Sequence, residues 1–407
     1  MIVAVRREGS EMASDGIVYL DHNATTPLSP RALAAMMPFL SGGFANPSSP
    51  SPEGEDSRRA VSESREKMAA FLGCRPPEIV FTGGGTEGNV TAILSALALS
   101  GDRREILSTP VEHPSVMQLL DRLGRQGYRV RFFPVDGDGC VDSRDLSGMA
   151  GSDTALIVMM WANNETGVLF PVEEAAAVGR SVGARVHSDA VAAAGKVPID
   201  LATVGVDTLS LSGHKIYGPK GTGALFVRKG TPFEPLFPGS QERKRRSGTE
   251  NVPGIAGMGE AAEESRSFLS SGSVRETGTL RDRLERSVLE LFPGAFLNGK
   301  NSDGSRVPHV TNIGFSGMSG EKLLHRLVSE GIRASTGSAC STGSMEPSHV
   351  LLSMGLSREE ALSALRFSLG RQTTPGQIDR TIDALVRAGR DLGLVAEGAA
   401  PGKGGAR

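Results

Sequence analysis

Between Glu78 and Val227 short strand-like runs recur, with helix-forming segments between them. The runs are Ile79-Val-Phe81, Glu105-Ile-Leu107, Arg129-Val-Arg-Phe-Phe133, Ala155-Leu-Ile-Val-Met-Met160, Ala184-Arg-Val-His187, Asp207-Thr-Leu-Ser-Leu211 and Ala224-Leu-Phe-Val227. Alternation of this kind predicts an α/β fold, a mostly parallel sheet with helices on both faces. Ligands of such sheets bind beyond the carboxyl ends of the strands. The residues just after each run therefore carry the functional signal.

After the sixth run comes Ser212-Gly-His-Lys215, opening a glycine-rich turn. A lysine so placed can act as an amine nucleophile that forms a Schiff base, the way pyridoxal phosphate (PLP) is held. An ordinary surface turn is the alternative. After the first run, Thr82-Gly-Gly-Gly-Thr-Glu-Gly-Asn89 opens a helix, and backbone N–H groups at such a terminus can cradle a phosphate. After the second comes Glu112-His-Pro-Ser115, which sets a flat ring at the crevice. After the fourth comes Trp161-Ala-Asn-Asn-Glu-Thr-Gly167, and after the fifth His187-Ser-Asp189, whose carboxylate suits a protonated pyridine nitrogen. Turn capping is the competing reading of each.

With 407 residues, 39% hydrophobic and 22% charged, the chain is too long for one compact core of usual size. A net charge of -2 gives no reason to expect nucleic acid or an anionic membrane as partner. Cys74, Cys140 and Cys340 are too scattered for a disulfide framework, which points to a reducing compartment, the cytoplasm. No apolar run approaches the roughly 18 residues of a membrane span. Met1 to Asp15 reads as a frayed leader and Glu397 to Arg407 as a disordered tail.

Further along, Pro238 to Thr249 is polar and basic, either a solvated face or a source of Arg, Ser and Thr donors to a phosphate. One helical segment is expected from Ile255 to about Leu291, crossing to a second domain with a strand at Val310–Phe315 and helices at 319–330, 359–364 and 375–392. Arg333 to Ser344 lacks apolar content and is expected to be a mobile exposed loop. It holds Cys340, a reactive thiol by that setting. Arg366, inside an apolar strand, is either salt-bridged or a fork for a substrate carboxylate.

Together these segments resemble the cysteine desulfurases of the class V aminotransferase family, of the nitrogen-fixation and iron–sulfur-cluster type. The carriers are Leu20-Asp-His-Asn-Ala-Thr-Thr-Pro27, Phe81-Thr-Gly-Gly-Gly-Thr-Glu87, Glu112-His-Pro-Ser-Val116, Asn163-Asn-Glu-Thr-Gly167, His187-Ser-Asp189, Ser212-Gly-His-Lys215, Arg246-Ser-Gly-Thr249, Gly337-Ser-Ala-Cys340 and Arg366-Phe-Ser-Leu-Gly370. The likeness spans roughly Tyr19 to Ala388. It implies PLP-dependent fold type I, with a seven-stranded sheet in the larger domain. The implied organisation is a leader at 1–18, a segment at 19–30 packing with the small domain, a large domain at 31–265, a smaller α+β domain at 266–392 and a tail at 393–407.

The resemblance also implies roles. Lys215 would carry PLP and move the α-proton. His113 would stack on the ring and shuttle protons. Asp189 would pair with the pyridine nitrogen, and Asn164 would lie near the phenolic oxygen. Gly85, Thr86, Ser212 and His214 would hold the phosphate, joined by Thr249 of a second subunit in a homodimer. Asn23, Asn164 and Arg366 would bind L-cysteine. Cys340 would take its sulfur as a persulfide, pass it to an acceptor protein for cluster assembly or tRNA thiolation, and release alanine. No resident metal is implied, although Cys340 would touch an iron–sulfur cluster transiently.

Three positions depart from the pattern. Ala192 replaces a glutamine that donates to the phenolic oxygen, Ser51 replaces a histidine, and the asparagine after Thr86-Glu87 reads as displaced to Asn89. Selenocysteine lyase, a small-amino-acid transaminase and a weakly catalytic sulfur-relay scaffold are the other readings of this fold.

Overall fold

The computed structural model describes residues 16–299, 305–336 and 346–393. The expected leader and tail, and Cys340, lie outside them. The chain begins with β1 (Val18–Tyr19), α1 (Pro30–Ser41) and α2 (Pro52–Leu72). Ser51 caps α2, its Oγ accepting from the Gly54 N–H at 3.2 Å. The alternating stretch then forms β2 (Ile79–Thr82), α3 (Gly85–Ala98), β3 (Glu105–Ser108), α4 (Pro114–Arg125), β4 (Arg129–Phe132), α5 (Ser143–Met149), β5 (Thr154–Val158), α6 (Val172–Val182), β6 (Arg185–Asp189), β7 (Thr208–Ser212) and β8 (Gly223–Val227).

These strands make one seven-stranded sheet in the order β2-β8-β7-β6-β5-β3-β4. From β7 to β4 all pairings are parallel, and β8 is antiparallel to both its neighbours. The sheet expected from the sequence is present. Its central strands β5, β7 and β8 are buried along their whole length because helices cover both faces. Ile106, Leu156 and Val158 pack with residues of α3 and α4 on one side. Their neighbours Leu107 and Ile157 pack with residues of α2 and α6 on the other. Each such side chain contributes about 1.5–3 kcal/mol of burial.

The chain continues through a single turn, α7 (Gln241–Lys244), then α8 (Val252–Ser270), α9 (Ser273–Leu291), β9 (Ala295–Asn298), β10 (Val310–Phe315), α10 (Gly320–Ser329), β11 (Ile332–Arg333), α11 (His349–Ser353), α12 (Arg358–Ser363), β12 (Leu365–Ser368) and α13 (Pro375–Asp391). The single helix expected from Ile255 to Leu291 is two. Gly272 takes φ +81°, a left-handed conformation that ends one helix and starts the next. A three-stranded antiparallel sheet, β12-β10-β9, packs with α9, α10 and α13 into a second core. Val18 and Leu20 from the start of the chain belong to that core, because β1 pairs in parallel with β11.

The exposed loop expected from Arg333 is corrected over its described part. Arg333 lies in β11, Ser335 bridges to Arg366, and Thr336 is buried. A short polar stretch is ordered here by backbone pairing with β12. Among the described residues no helix is long and apolar enough to cross a membrane.

Candidate active site

Parallel pairing of β6 with β7 sets Asp189 opposite Ser210, so Asp189 and Ser212 emerge at the same edge of the sheet. The chain then turns tightly through Gly213. A Cβ there would lie 2.8 Å from Thr222 Oγ1 and 3.0 Å from the Pro219 carbonyl, so only glycine fits. This turn delivers Lys215. Its Nζ donates to the Asn23 carbonyl and, at 3.0 Å, to that of Ala24. Burial, followed by the nearby Arg366 guanidinium, lowers its pKa to about 8, against the pull of Asp21 and Asp189.

Lys215 opens into a cavity of about 510 Å³ whose lining includes Asn23, His113, Asn164, Asp189, Ala192 and Lys196. Asp189 is fixed there by two donors. Asn89 Nδ2 reaches its Oδ2 at 2.7 Å, and the Val191 N–H reaches its Oδ1 at 2.9 Å. A carboxylate only accepts, so the Asn89 amide must turn its oxygen to His187 Nε2, 3.0 Å away. His187 Nδ1 in turn meets Thr208 Oγ1 at 2.9 Å. Burial pulls His187 down to about pKa 3, so this relay is neutral except for its carboxylate end.

His113 caps α4. Its Nδ1 lies 2.8 Å from Ser115 Oγ, itself within 3.1 Å of Asn89 Nδ2. Desolvation in the cleft lowers its pKa, with Asp189 acting the other way. Across the cavity, Asn23 Nδ2 donates to the Asn164 carbonyl at 2.8 Å, and Asn23 Oδ1 meets His309 Nε2 at 2.8 Å. Arg366 is buried and already ion-paired. Its Nη2 reaches Asp21 Oδ1 at 2.8 Å and its Nη1 reaches the Asn164 carbonyl at 3.2 Å, while its Nε–H has no partner among the described residues.

A second cavity of about 930 Å³ is lined by Gly84, Gly85, Thr86, Ser212 and His214 among others, His214 being the residue before Lys215. Here the N-terminus of α3 supplies unpaired N–H groups. Gly85 admits no side chain, since a Cβ would lie 2.5 Å from Val191 Cγ2. His214 Nδ1 meets Thr25 Oγ1 at 3.1 Å, and burial lowers its pKa to about 4. Thr249 is not in this group. It is exposed on a neighbouring cavity of about 500 Å³ with Arg246, Gly248 and Thr222.

Three residues have a part that the sequence did not assign. Asn89 stands one helical turn after Gly85, on the same face, where it holds Asp189. Its spacing was the available signal. Lys196 lines the first cavity and donates to the Lys215 carbonyl at 3.1 Å, and burial followed by Arg371 lowers its pKa to about 7. Glu112, quoted above within its motif without a role, is fully buried beside His113. Nothing in the sequence marks Lys196. Ala192 presents only a methyl group to the cavity where a glutamine was expected.

With a charge-lowered amine, an anchored carboxylate and a glycine cradle in place, comparison with known proteins decides the family. The aminotransferase class-V family matches residues 18–381. The chain belongs to the class V aminotransferase family. It is 47% identical over 370 residues to a cysteine desulfurase of Trichormus azollae, covering 91% of this chain and 92% of that one. It is 45% identical over 367 residues to the cysteine desulfurase NifS of Azotobacter vinelandii, covering 90% of each. The solved structure of a NifS-like protein superposes with a TM-score of 0.84 at 34% identity, covering 91% of this chain and 98% of that one. The cofactor of the family is PLP, and the residues fit it. Asp189 faces the first cavity as an anchored acceptor, Lys215 lines the same cavity, and the α3 terminus lines the second.

Proposed function

We propose that the chain is a cysteine desulfurase, taking sulfur from L-cysteine, releasing L-alanine and leaving a persulfide on Cys340. The observation that carries this reading is the convergence of Lys215, Asp189, His113 and Asn164 on one cavity, with the buried Arg366 bonded to the Asn164 backbone at its wall. PLP would be held by the Lys215 amine, by Asp189 at the ring nitrogen, by Asn164 near the phenolic oxygen and by Gly85, Thr86, Ser212 and His214 at the phosphate. Bound PLP supplies an electron sink for the carbanion formed at the substrate Cα.

The residues of the chain do the rest. With a pKa of about 8, Lys215 is neutral often enough near that pH to accept the Cα proton. Arg366 offers its unpartnered Nε–H to the substrate carboxylate, which competes with Asp21 for the rest of the fork. His113, neutral under the same desolvation, can accept a thiol proton. Cys340 follows Thr336 by four residues, a reach of at most ~14 Å. Thr336 is buried next to Ser335, which pairs with Arg366. The carbon–sulfur bond breaks as the sulfur joins the Cys340 sulfur. Carbon is reduced while sulfur is oxidised, so no outside oxidant is needed. We place Thr249 at the phosphate of a partner subunit, because it stands outside the cradle of its own.

The test is incubation of the PLP-loaded protein with L-cysteine, measuring alanine and protein-bound sulfur. Wild type should give both in equal amount. Cys340→Ala should hold PLP but carry no sulfur, and Lys215→Ala should give neither product. Sulfur found on Cys74 or Cys140, or alanine formed by Lys215→Ala, would sink the reading.

A further inference from the structure

The basic run after Pro238 brings an arginine to the cradle, but not to donate to a phosphate. Arg246 Nε lies 2.9 Å from Glu87 Oε1, and its Nη2 lies 3.3 Å from Glu87 Oε2. That same Oε2 accepts the Gly83 N–H at 2.8 Å. Glu87 therefore occupies the first amide of the cradle and leaves the following amides of the α3 terminus to a ligand. Glu87 lines the cradle cavity and Arg246 the neighbouring one, while Gly83 and Gly221 line both. The pair forms their shared rim, with side chains only 17% and 28% exposed.

The loop carrying Arg246 is itself pinned to the same strand. Glu242, buried, accepts the Phe81 N–H at 3.0 Å and a forked pair from Arg65 at 2.6 and 2.8 Å. Arg65 also donates to the Ile79 carbonyl at 2.7 Å. Glu242, Arg243 and Lys244 take φ of +46°, +57° and +66°. Three consecutive side-chain-bearing residues in the left-handed region are costly, and the buried pair is what holds them there.

We infer that Arg246 is a positioning residue that orients and neutralises the Glu87 carboxylate at the mouth of the phosphate cradle. A carboxylate at a helix N-terminus is favourable alone, but it opposes a doubly charged phosphate brought to the same amides. Paired with Arg246, Glu87 keeps its cap on Gly83 without presenting a net charge. Unpaired, it would repel the phosphate. The inference rests on the reading that the phosphate lies at Gly85, Thr86 and Ser212.

The test compares PLP with pyridoxal, which lacks the phosphate, each titrated into the cofactor-stripped protein and followed by absorbance. The ratio of the two affinities reports the phosphate alone and cancels any loss of folded protein. Arg246→Met should lower the preference for PLP by about tenfold or more. Arg246→Lys should recover part of it. Glu87→Gln added to Arg246→Met should restore most of it, because the repelling charge is gone. An equal loss for PLP and pyridoxal in Arg246→Met, or no relief from Glu87→Gln, would overturn the inference. If Ser212→Ala leaves the preference of otherwise wild-type protein unchanged, the phosphate lies elsewhere, and the cradle reading falls together with this one.

Discussion

Glu112 is an acid that the fold keeps uncharged. Burial raises its pKa to about 8, and the donors Thr109 Oγ1 and Met160 N, each 2.8 Å from its Oε1, do not offset that. Its other oxygen, Oε2, has no partner among the described residues. Unfolded, the same carboxyl would titrate near ~4.3. Between those values the folded chain binds a proton that the unfolded chain has released, so this group lowers stability as pH rises from about 4 to about 8, with no further change above. Glu112→Gln imitates the protonated form. Its melting temperature relative to wild type should climb across that window and level off beyond it, as followed by thermal melts at several pH values. A difference independent of pH would show that Glu112 is ionised when folded.

At the scale of elements, β8 and the cradle touch backbone to backbone. A Cβ on Gly223 would lie 2.6 Å from Gly84 Cα and 2.8 Å from the Leu211 carbonyl, and neither can rotate away. Gly223→Ala should therefore cost ~2–3 kcal/mol of stability by overpacking. It should also weaken PLP binding, since the displaced Gly84 leads directly into α3. Melting temperature and PLP titration check both, and an unchanged pair of values would mean the strand can shift freely. The sheet was legible in the sequence because strand–helix alternation is a local pattern. So were Lys215 and Asp189, which directly follow strands. The break at Gly272 was not, because an isolated glycine reads the same whether it is tolerated within a helix or ends one. The role of Lys196, the burial of Glu112 and the pairing of Arg366 with Asp21 were not legible either, since each depends on contacts between segments far apart in the chain.

Across the whole molecule, α1 exposes Leu33, Met37 and Leu40, whose spacing places them on one stripe, and Phe44 beyond its end is 86% exposed. Leu236 and Phe237, in the segment leading to Thr249, are exposed as well. Apolar surface of this kind suits an interface, and the homodimer proposed above, which places Thr249 at the partner's phosphate, would cover it. Sedimentation should give about twice the chain mass of 42.6 kDa. Leu40→Glu combined with Phe44→Glu should produce monomers that lose PLP, whereas a monomeric wild type with tight PLP would remove the partner from the site. The pairing of β1 with β11 has a different bearing, on synthesis. Among the described residues the main sheet draws on no strand beyond Val227. Yet the Asn23 N–H donates to Ser368 Oγ, and Asp21 holds Arg366. A nascent chain leaving the ribosome therefore has every strand of that sheet before its reactive pocket has a wall. Chemical competence arrives only when β12 emerges and bridges to Asp21, so a translation product truncated after Val227 lacks a closed site, and it also lacks Val307, Val310, Val350 and Leu351 from the main core.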